Sequence, residues 1–262
     1  MADEPVGVED LARVGLQLGI KDGVATVTLS KPERRNAQTP GMWRALARIG
    51  DTLPEDIRVV VVRGEGPSFS AGLDIRAFSG EGIPGEPPAM PRDISPDGLD
   101  ALIDEYQQGF TWLRRPELVS IAAVQGHAIG AGFQLALSCD LRIAADNAKF
   151  CMKEPALGLV PDLTGTKPLV DAVGLARATE ICLTVRTVLA DEALRLGIVQ
   201  SVVAPEALDQ AVQDLIGTLL AVDAGAATAT KRLLLGAPGR TLDEQRAAER
   251  AEQVGRILGT RG

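Results

Sequence analysis

A chain of 262 residues is long enough for one large domain, or for one domain with a small appendage. Hydrophobic residues make up 45% of it, so it can bury a sizeable core and is not broadly disordered. A net charge of −8 argues against nucleic acid or an anionic membrane surface as the main partner, though a local basic patch could still hold a polyanion.

The first fifteen residues are acidic and carry no apolar leader core, and no apolar run reaches membrane-spanning length, so a cytoplasmic protein is expected. Val14, Leu16, Leu18 and Ile20 alternate with polar or glycine positions, which predicts a half-buried strand. The turn Lys21-Asp22-Gly23 leads into a second alternating run, Val24–Leu29, and the two make a hairpin. A basic loop, Lys31–Ala37, follows. A helix is expected over Pro40–Leu53, with the proline in its first turn. The β-branched run Ile57–Arg63 predicts a fully buried strand.

The next stretch, GEGPSFSAGLDI, completes neither a dinucleotide fingerprint nor a P-loop. Ser79–Asp100 is rich in Gly, Pro and Asp and is expected to be a mobile surface loop that covers substrate. Leu99, Leu102, Ile103, Tyr106, Phe110 and Leu113 recur at helical spacing.

The segment from Ser120 to Thr166 organises the rest. An apolar strand, Val119–Val124, breaks at Gly126, and a small-residue turn, Gly130-Ala131-Gly132, opens a helical run, Phe133–Leu137. The first N–H groups of a helix lack internal partners, and small residues let a ligand oxygen approach them. Such a turn can hold a phosphate, stabilise an oxyanion, or simply pack. A strand, Leu141–Ala144, and a polar segment with Glu154 and Asp162 follow. Pro168–Thr184, Ala190–Leu196, Glu206–Leu220, Ala224–Leu235 and Leu242–Leu258 read as helices, with a strand at Ile198–Val203.

The three cysteines form no CxxC pair and read as reduced core residues. A single histidine, His127, excludes a multi-histidine metal site and reads as a packed or hydrogen-bonded residue. Asp140 reads as structural, because it opens a strand directly after the helix.

KPERRNA at Lys31–Ala37, FSAGLDI at Phe69–Ile75, the run Ala122–Phe150, GLVP at Gly158–Pro161, ADEALRLGIVQSVV at Ala190–Val203 and ATKRLL around Lys231 occur in one order. Together they resemble the crotonase superfamily, also called the enoyl-CoA hydratase/isomerase family, over about residues 14 to 255. The resemblance implies an α/β fold: a crotonase-like spiral of ββα units over residues 1–200, then a C-terminal helical trimerisation region over 201–262. It implies a homotrimer, or a hexamer built from two trimers. It implies an acyl-CoA substrate, with coenzyme A as part of that substrate and no tightly bound cofactor or metal.

By position, the thioester oxygen is expected between the backbone N–H groups of Leu73 and Ala131. Losing one such donor typically costs about 10²–10³ in rate. Ala71, Asp74 and Ile75 fall where relatives contact CoA, and Arg34 and Arg76 where they carry basic residues for its phosphates.

Hydratases of this family hold water between two glutamates. Here the second is Glu154, but the first position is Gln134, which exchanges no proton at neutral pH and can only orient water or substrate by hydrogen bonding. Asp162 resembles the carboxylate that dienoyl-CoA isomerases pair with the matching glutamate, although those carry an aspartate in place of Gln134. It also matches the nucleophile of 4-chlorobenzoyl-CoA dehalogenases, whose aromatic pocket is not evident. The protease relatives of this fold are excluded by the absence of a G-x-S-x-G elbow.

The first reading is therefore double-bond isomerisation with Glu154 and Asp162 as proton shuttles. The alternatives are hydration by Glu154 with Gln134 holding water, and a weakly catalytic acyl-CoA-binding protein. Most relatives continue through one more amphipathic helix, so the resemblance also implies either a more open acyl pocket or a tilted trimer packing here.

Overall fold

A computed structural model describes residues 7–78, 82–83, 86, 89 and 93–259. Strands β1 (Leu16–Lys21) and β2 (Val24–Leu29) form the expected antiparallel hairpin, with Leu16 opposite Leu29. A short helix, α1 (Val8–Val14), precedes them where no helix was expected; seven residues are too few to show a helical period. Val14 closes that helix instead of opening the strand.

Helix α2 (Pro40–Thr52) starts as the sequence indicates. Thr39 accepts a hydrogen bond from the Met42 amide at 3.2 Å, and Pro40 needs no donor in the first turn. Its buried face carries Met42, Trp43, Leu46 and Ile49. The next strand, β3 (Val59–Gly64), pairs in parallel with β2. Helix α3 (Pro96–Thr111) is capped by Ser95 and packs Tyr106 and Phe110 against Trp43, with ring centroids 5.0 and 6.3 Å away. It begins inside the segment expected to be a loop. Most of residues 79–92, the larger part of that expected covering loop, lies outside the described residues.

Strand β4 (Val119–Val124) runs parallel to β3 and feeds a short strand, β5 (His127–Ile129), that the sequence reading missed. Helix α4 (Ala131–Ser138), β6 (Leu141–Ala145) and β7 (Lys149–Cys151) follow. The expected helix over 168–184 is two helices, α5 (Thr166–Val173) and α6 (Leu175–Thr184), broken where Gly174 adopts φ 75°, ψ 160°. Then come β8 (Val188–Leu189), α7 (Ala190–Arg195), β9 (Ser201–Val203), α8 (Leu208–Ala221), α9 (Ala224–Gly236) and α10 (Leu242–Gly259).

The larger sheet has the order β1-β2-β3-β4-β6-β9, parallel except for the hairpin. A smaller sheet has the order β5-β7-β8. Alternation along β3 and β4 serves two cores. Val60, Val62, Ala122 and Val124 face the main core with α2 and α4. Val59, Val61, Ile121 and Ala123 face the opposite side, where Leu208, Val212 and Ile216 of α8 cover them. Buried on both faces, these central strands must be apolar throughout, which is why they read as continuous hydrophobic runs.

One polar tether fixes α9 to this framework. Lys231 donates to the Arg115 and Leu118 carbonyls at 2.8 and 2.7 Å and to the Asp140 carboxylate at 2.6 Å. The same carboxylate oxygen accepts from the Ser120 amide and hydroxyl. Asp140 is thus structural, as expected. Replacing Lys231 with Met should cost about 3–5 kcal/mol, the usual range for removing one partner of a buried ion pair, because three acceptors lose their donor. Urea unfolding of the variant measures it.

Candidate active site

Where β5 ends, the chain must turn sharply into α4. Gly130 makes that turn at φ 52°, ψ −122°, and its amide donates to the Cys151 carbonyl at 2.8 Å. Two further backbone bonds lock the 70–73 segment beside it: Ser70 N–H to the His127 carbonyl at 2.7 Å, and Ile129 N–H to the Ser70 carbonyl at 3.0 Å. Gly72, at φ 87°, passes so close that a Cβ there would lie 2.4 Å from the Ile129 carbonyl oxygen and 3.5 Å from the Ala131 nitrogen. These contacts bring the Leu73 and Ala131 backbones to one place. Among the described residues, neither N–H has an acceptor.

Both residues line a cavity of about 700 Å³. Glu154, Asp162, Ala71 and Ile75 line it too. Its wall is mainly apolar, with Trp43 and Tyr106 from the α2–α3 pair and Leu163 from the segment after Asp162. Neither Trp43 nor Tyr106 is a site candidate from sequence; helical spacing marks Tyr106 as part of an amphipathic face without saying what lies beyond it.

Glu154 opens a short 3₁₀ turn, Glu154–Leu157, and is 9% exposed. Its Oε1 accepts from Gln134 Nε2 at 2.7 Å, while its Oε2 is buried with no hydrogen-bond partner. Burial pushes the Glu154 carboxyl above the usual range; its own backbone N–H and the Gln134 amide act against this, and the Asp162 charge adds to it. Asp162 is also pushed up by burial. Its backbone carbonyl accepts from Gln107 Nε2 of α3 at 2.7 Å, a contact without a sequence signal.

Gln134 is fully buried and does not line the cavity. Its carbonyl oxygen accepts from the amides of Leu163 at 2.9 Å and Gly165 at 3.2 Å. Two backbone N–H groups can only donate, so they fix the carboxamide orientation and leave the NH₂ facing Glu154.

The other candidates sit apart. Asp74 is 4% exposed, and its carboxylate accepts from the Arg76 backbone amide at 3.1 Å and from the Arg76 guanidinium at 2.7 Å. Arg34 reaches it at 3.3 Å. The Arg76 hydrogen bonds, aided by the Arg34 charge, hold the Asp74 carboxyl below the usual range. Arg34 and Arg76 keep side chains 41% and 45% exposed, and none of the three lines the cavity. His127 shares a 3.0 Å hydrogen bond with Ser68 Oγ, as expected of a packed residue. Among the described residues, no group of three or more His, Cys, Asp or Glu could hold a metal ion, and no helix is long and apolar enough to cross a membrane.

A family model described as enoyl-CoA hydratase/isomerase matches residues 19–255. The chain belongs to the enoyl-CoA hydratase/isomerase family. It is therefore an enzyme of that family, acting on CoA thioesters, with the crotonase-like α/β fold. A Thermobifida fusca chain solved in complex with CoA, provisionally named an enoyl-CoA hydratase, is 55% identical with a TM-score of 0.95, covering 98% of each chain. The corresponding acetoacetyl-CoA complex is 54% identical with a TM-score of 0.93, covering 98% of this chain and 100% of that one. The (E)-benzylidenesuccinyl-CoA hydratase of Thauera aromatica is 35% identical over 197 residues, covering 73% of this chain and 70% of that enzyme.

Proposed function

We propose that this family member isomerises the double bonds of an unsaturated acyl-CoA, with Glu154 and Asp162 as the proton-transferring groups. The observation that carries the reading is the commitment of Gln134. Its carbonyl is taken by two backbone amides and its NH₂ faces Glu154, so it presents no acceptor to a water in the cavity. Glu154 and Asp162, by contrast, line the cavity together.

In this mechanism the Leu73 and Ala131 amides hold the thioester oxygen. A Cβ placed on Gly130 would be 3.0 Å from Glu154 Oε1, so the Glu154 carboxylate lies beside the turn that presents the Ala131 donor. Glu154 takes the proton from the carbon next to the thioester. The electron pair of that C–H bond moves toward the carbonyl and leaves negative charge on an oxygen held by two fixed donors. Asp162 delivers its proton to a carbon farther along the conjugated chain as the electron pair returns. The net result moves the double bond and leaves the composition unchanged. One carboxyl must be neutral while the other is charged, and burial with mutual repulsion favours that division.

The exposed arginines Arg34 and Arg76, oriented by Asp74, would meet the CoA phosphates, and Ala71 and Ile75 its adenine end. Self-association into a trimer or hexamer would cover the C-terminal helices, where Leu234, Leu242 and Leu258 are 66%, 76% and 62% exposed.

The test incubates 2-enoyl-, 3-enoyl- and 3,5-dienoyl-CoA esters with the protein in D₂O and follows them by mass spectrometry. Deuterium uptake with a shifted double bond and no added water is expected. A product heavier by one water would replace this reading with hydration. Asp162→Asn should slow isomerisation by about 10²-fold or more while leaving CoA affinity unchanged.

A further inference from the structure

We infer that Gln134 is a positioning residue: through one carboxamide it ties the Asp162–Gly165 turn to Glu154 and selects Glu154 Oε2 as the oxygen that bears the carboxyl proton. The inference rests on the proposed proton-transfer role of Glu154, but its geometry is independent of which substrate is used.

The turn cannot hold itself. Thr164 sits at φ 68°, a left-handed conformation that a β-branched residue rarely adopts. Such a conformation persists only where the surroundings over-determine it. Here the Leu163 and Gly165 amides flank Thr164 and converge on a single oxygen, Gln134 Oε1. Gly165 is required for this approach, because a Cβ on it would lie 2.5 Å from Gln134 Cγ. Thr164 Oγ1 also meets Ser138 Oγ at 3.4 Å, one turn along α4 from Gln134. The carboxamide is therefore the post around which the turn closes, and Asp162 enters the cavity from that turn.

The opposite end of the same group acts on Glu154. Nε2 can only donate, so Glu154 Oε1 must offer it a lone pair. A proton on Glu154 then resides on Oε2, which is buried and unpartnered. A glutamate at position 134 could still accept from both turn amides, but it would lose the donor and place a second carboxyl against Oε1.

Among the described residues, the charged and titratable groups that act on Glu154 are few. Asp162 faces it from the following turn, Lys153 adjoins it, and Cys151 on β7 and Cys182 on α6 lie behind it. Gln134→Glu keeps the acceptor for the turn amides and so leaves these groups in place, and its shift in Glu154 titration reports the exchange of a donor for a second carboxyl beside Oε1.

Two variants separate the two ends. In ligand-free protein with ¹³C-labelled glutamate carboxyls, the Glu154 resonance of Gln134→Glu should titrate about one pH unit or more above the parent. Its Leu163 and Gly165 amides should stay protected from exchange. Gln134→Met removes both ends; its Leu163 and Gly165 amides should exchange at least tenfold faster. A Glu154 titration unmoved in Gln134→Glu overturns the selection of Oε2. Unchanged amide protection in Gln134→Met overturns the tie to the turn. Both readouts need no turnover, so failure of the isomerase reading shows in the D₂O panel and failure of the Gln134 role shows in the spectra.

Discussion

Replacing Glu154 with Gln is expected to lower turnover by about 10²–10⁴ while leaving CoA affinity intact, the usual range for losing a positioned acid or base. The substitution keeps the shape and an acceptor for Gln134 Nε2, but it removes the one proton that the carboxyl can take up or release. Stability should move the other way. Burial raises the folded-state pKa of Glu154 above its unfolded value, so its contribution to stability is greatest below the unfolded pKa and is lost as pH rises through the elevated folded one. Above that window the native state holds an ionised carboxylate with one orphaned oxygen. The Gln variant escapes this cost, so its melting temperature should equal or exceed the parent's near pH 8, with the advantage disappearing in acid. A variant that loses both turnover and stability at pH 8 would mean that Glu154 serves the fold. Thermal melts at two pH values, beside steady-state kinetics, decide it.

Much of this architecture was legible because one period dominates each element. Four consecutive valines, Val59–Val62, can only be a strand buried on both faces, and Thr39-Pro40 announces the start of α2. The short pieces gave no such signal. Strand β5 has three residues, one pleat short of an alternation, and α1 completes barely two turns.

The candidate site divides in the same way. The small-residue turn at Gly130 signals close backbone approach, and two acidic residues downstream invite proton chemistry. What Gln134 does was hidden, because a carboxamide is equally able to bind water, substrate or backbone. Only the fold-back of Leu163 and Gly165, which passes through a strained Thr164, decides among these. No residue type foretells that a threonine will be held left-handed. Asp74 teaches a similar lesson: its carboxylate is turned to Arg76 and Arg34, a pairing that its place in the motif does not announce.

Gly130→Ala should damage the site through both its backbone and the carboxylate beside it. The ψ of −122° takes Gly130 out of the left-handed helical region and into territory that residues with a Cβ essentially avoid. Strain of that kind costs about 1–3 kcal/mol. For a chain near this size that lowers the melting temperature by about 2–4 °C per kcal/mol. The new methyl would also stand 3.0 Å from Glu154 Oε1 and 3.5 Å from its Cδ. Either the carboxylate retreats and breaks its bond to Gln134, or the turn shifts and re-aims the Ala131 amide. Loss of one oxyanion donor alone costs about 10²–10³ in rate, so turnover should fall by at least about 10². Gly158→Ala supplies the control. Gly158 also has a positive φ, 73°, but a Cβ there meets nothing within 4 Å. It should lose about 1 kcal/mol of stability and keep its turnover. If the two variants lose turnover equally, backbone strain alone is responsible, and the contact between Gly130 and Glu154 does not position the carboxylate.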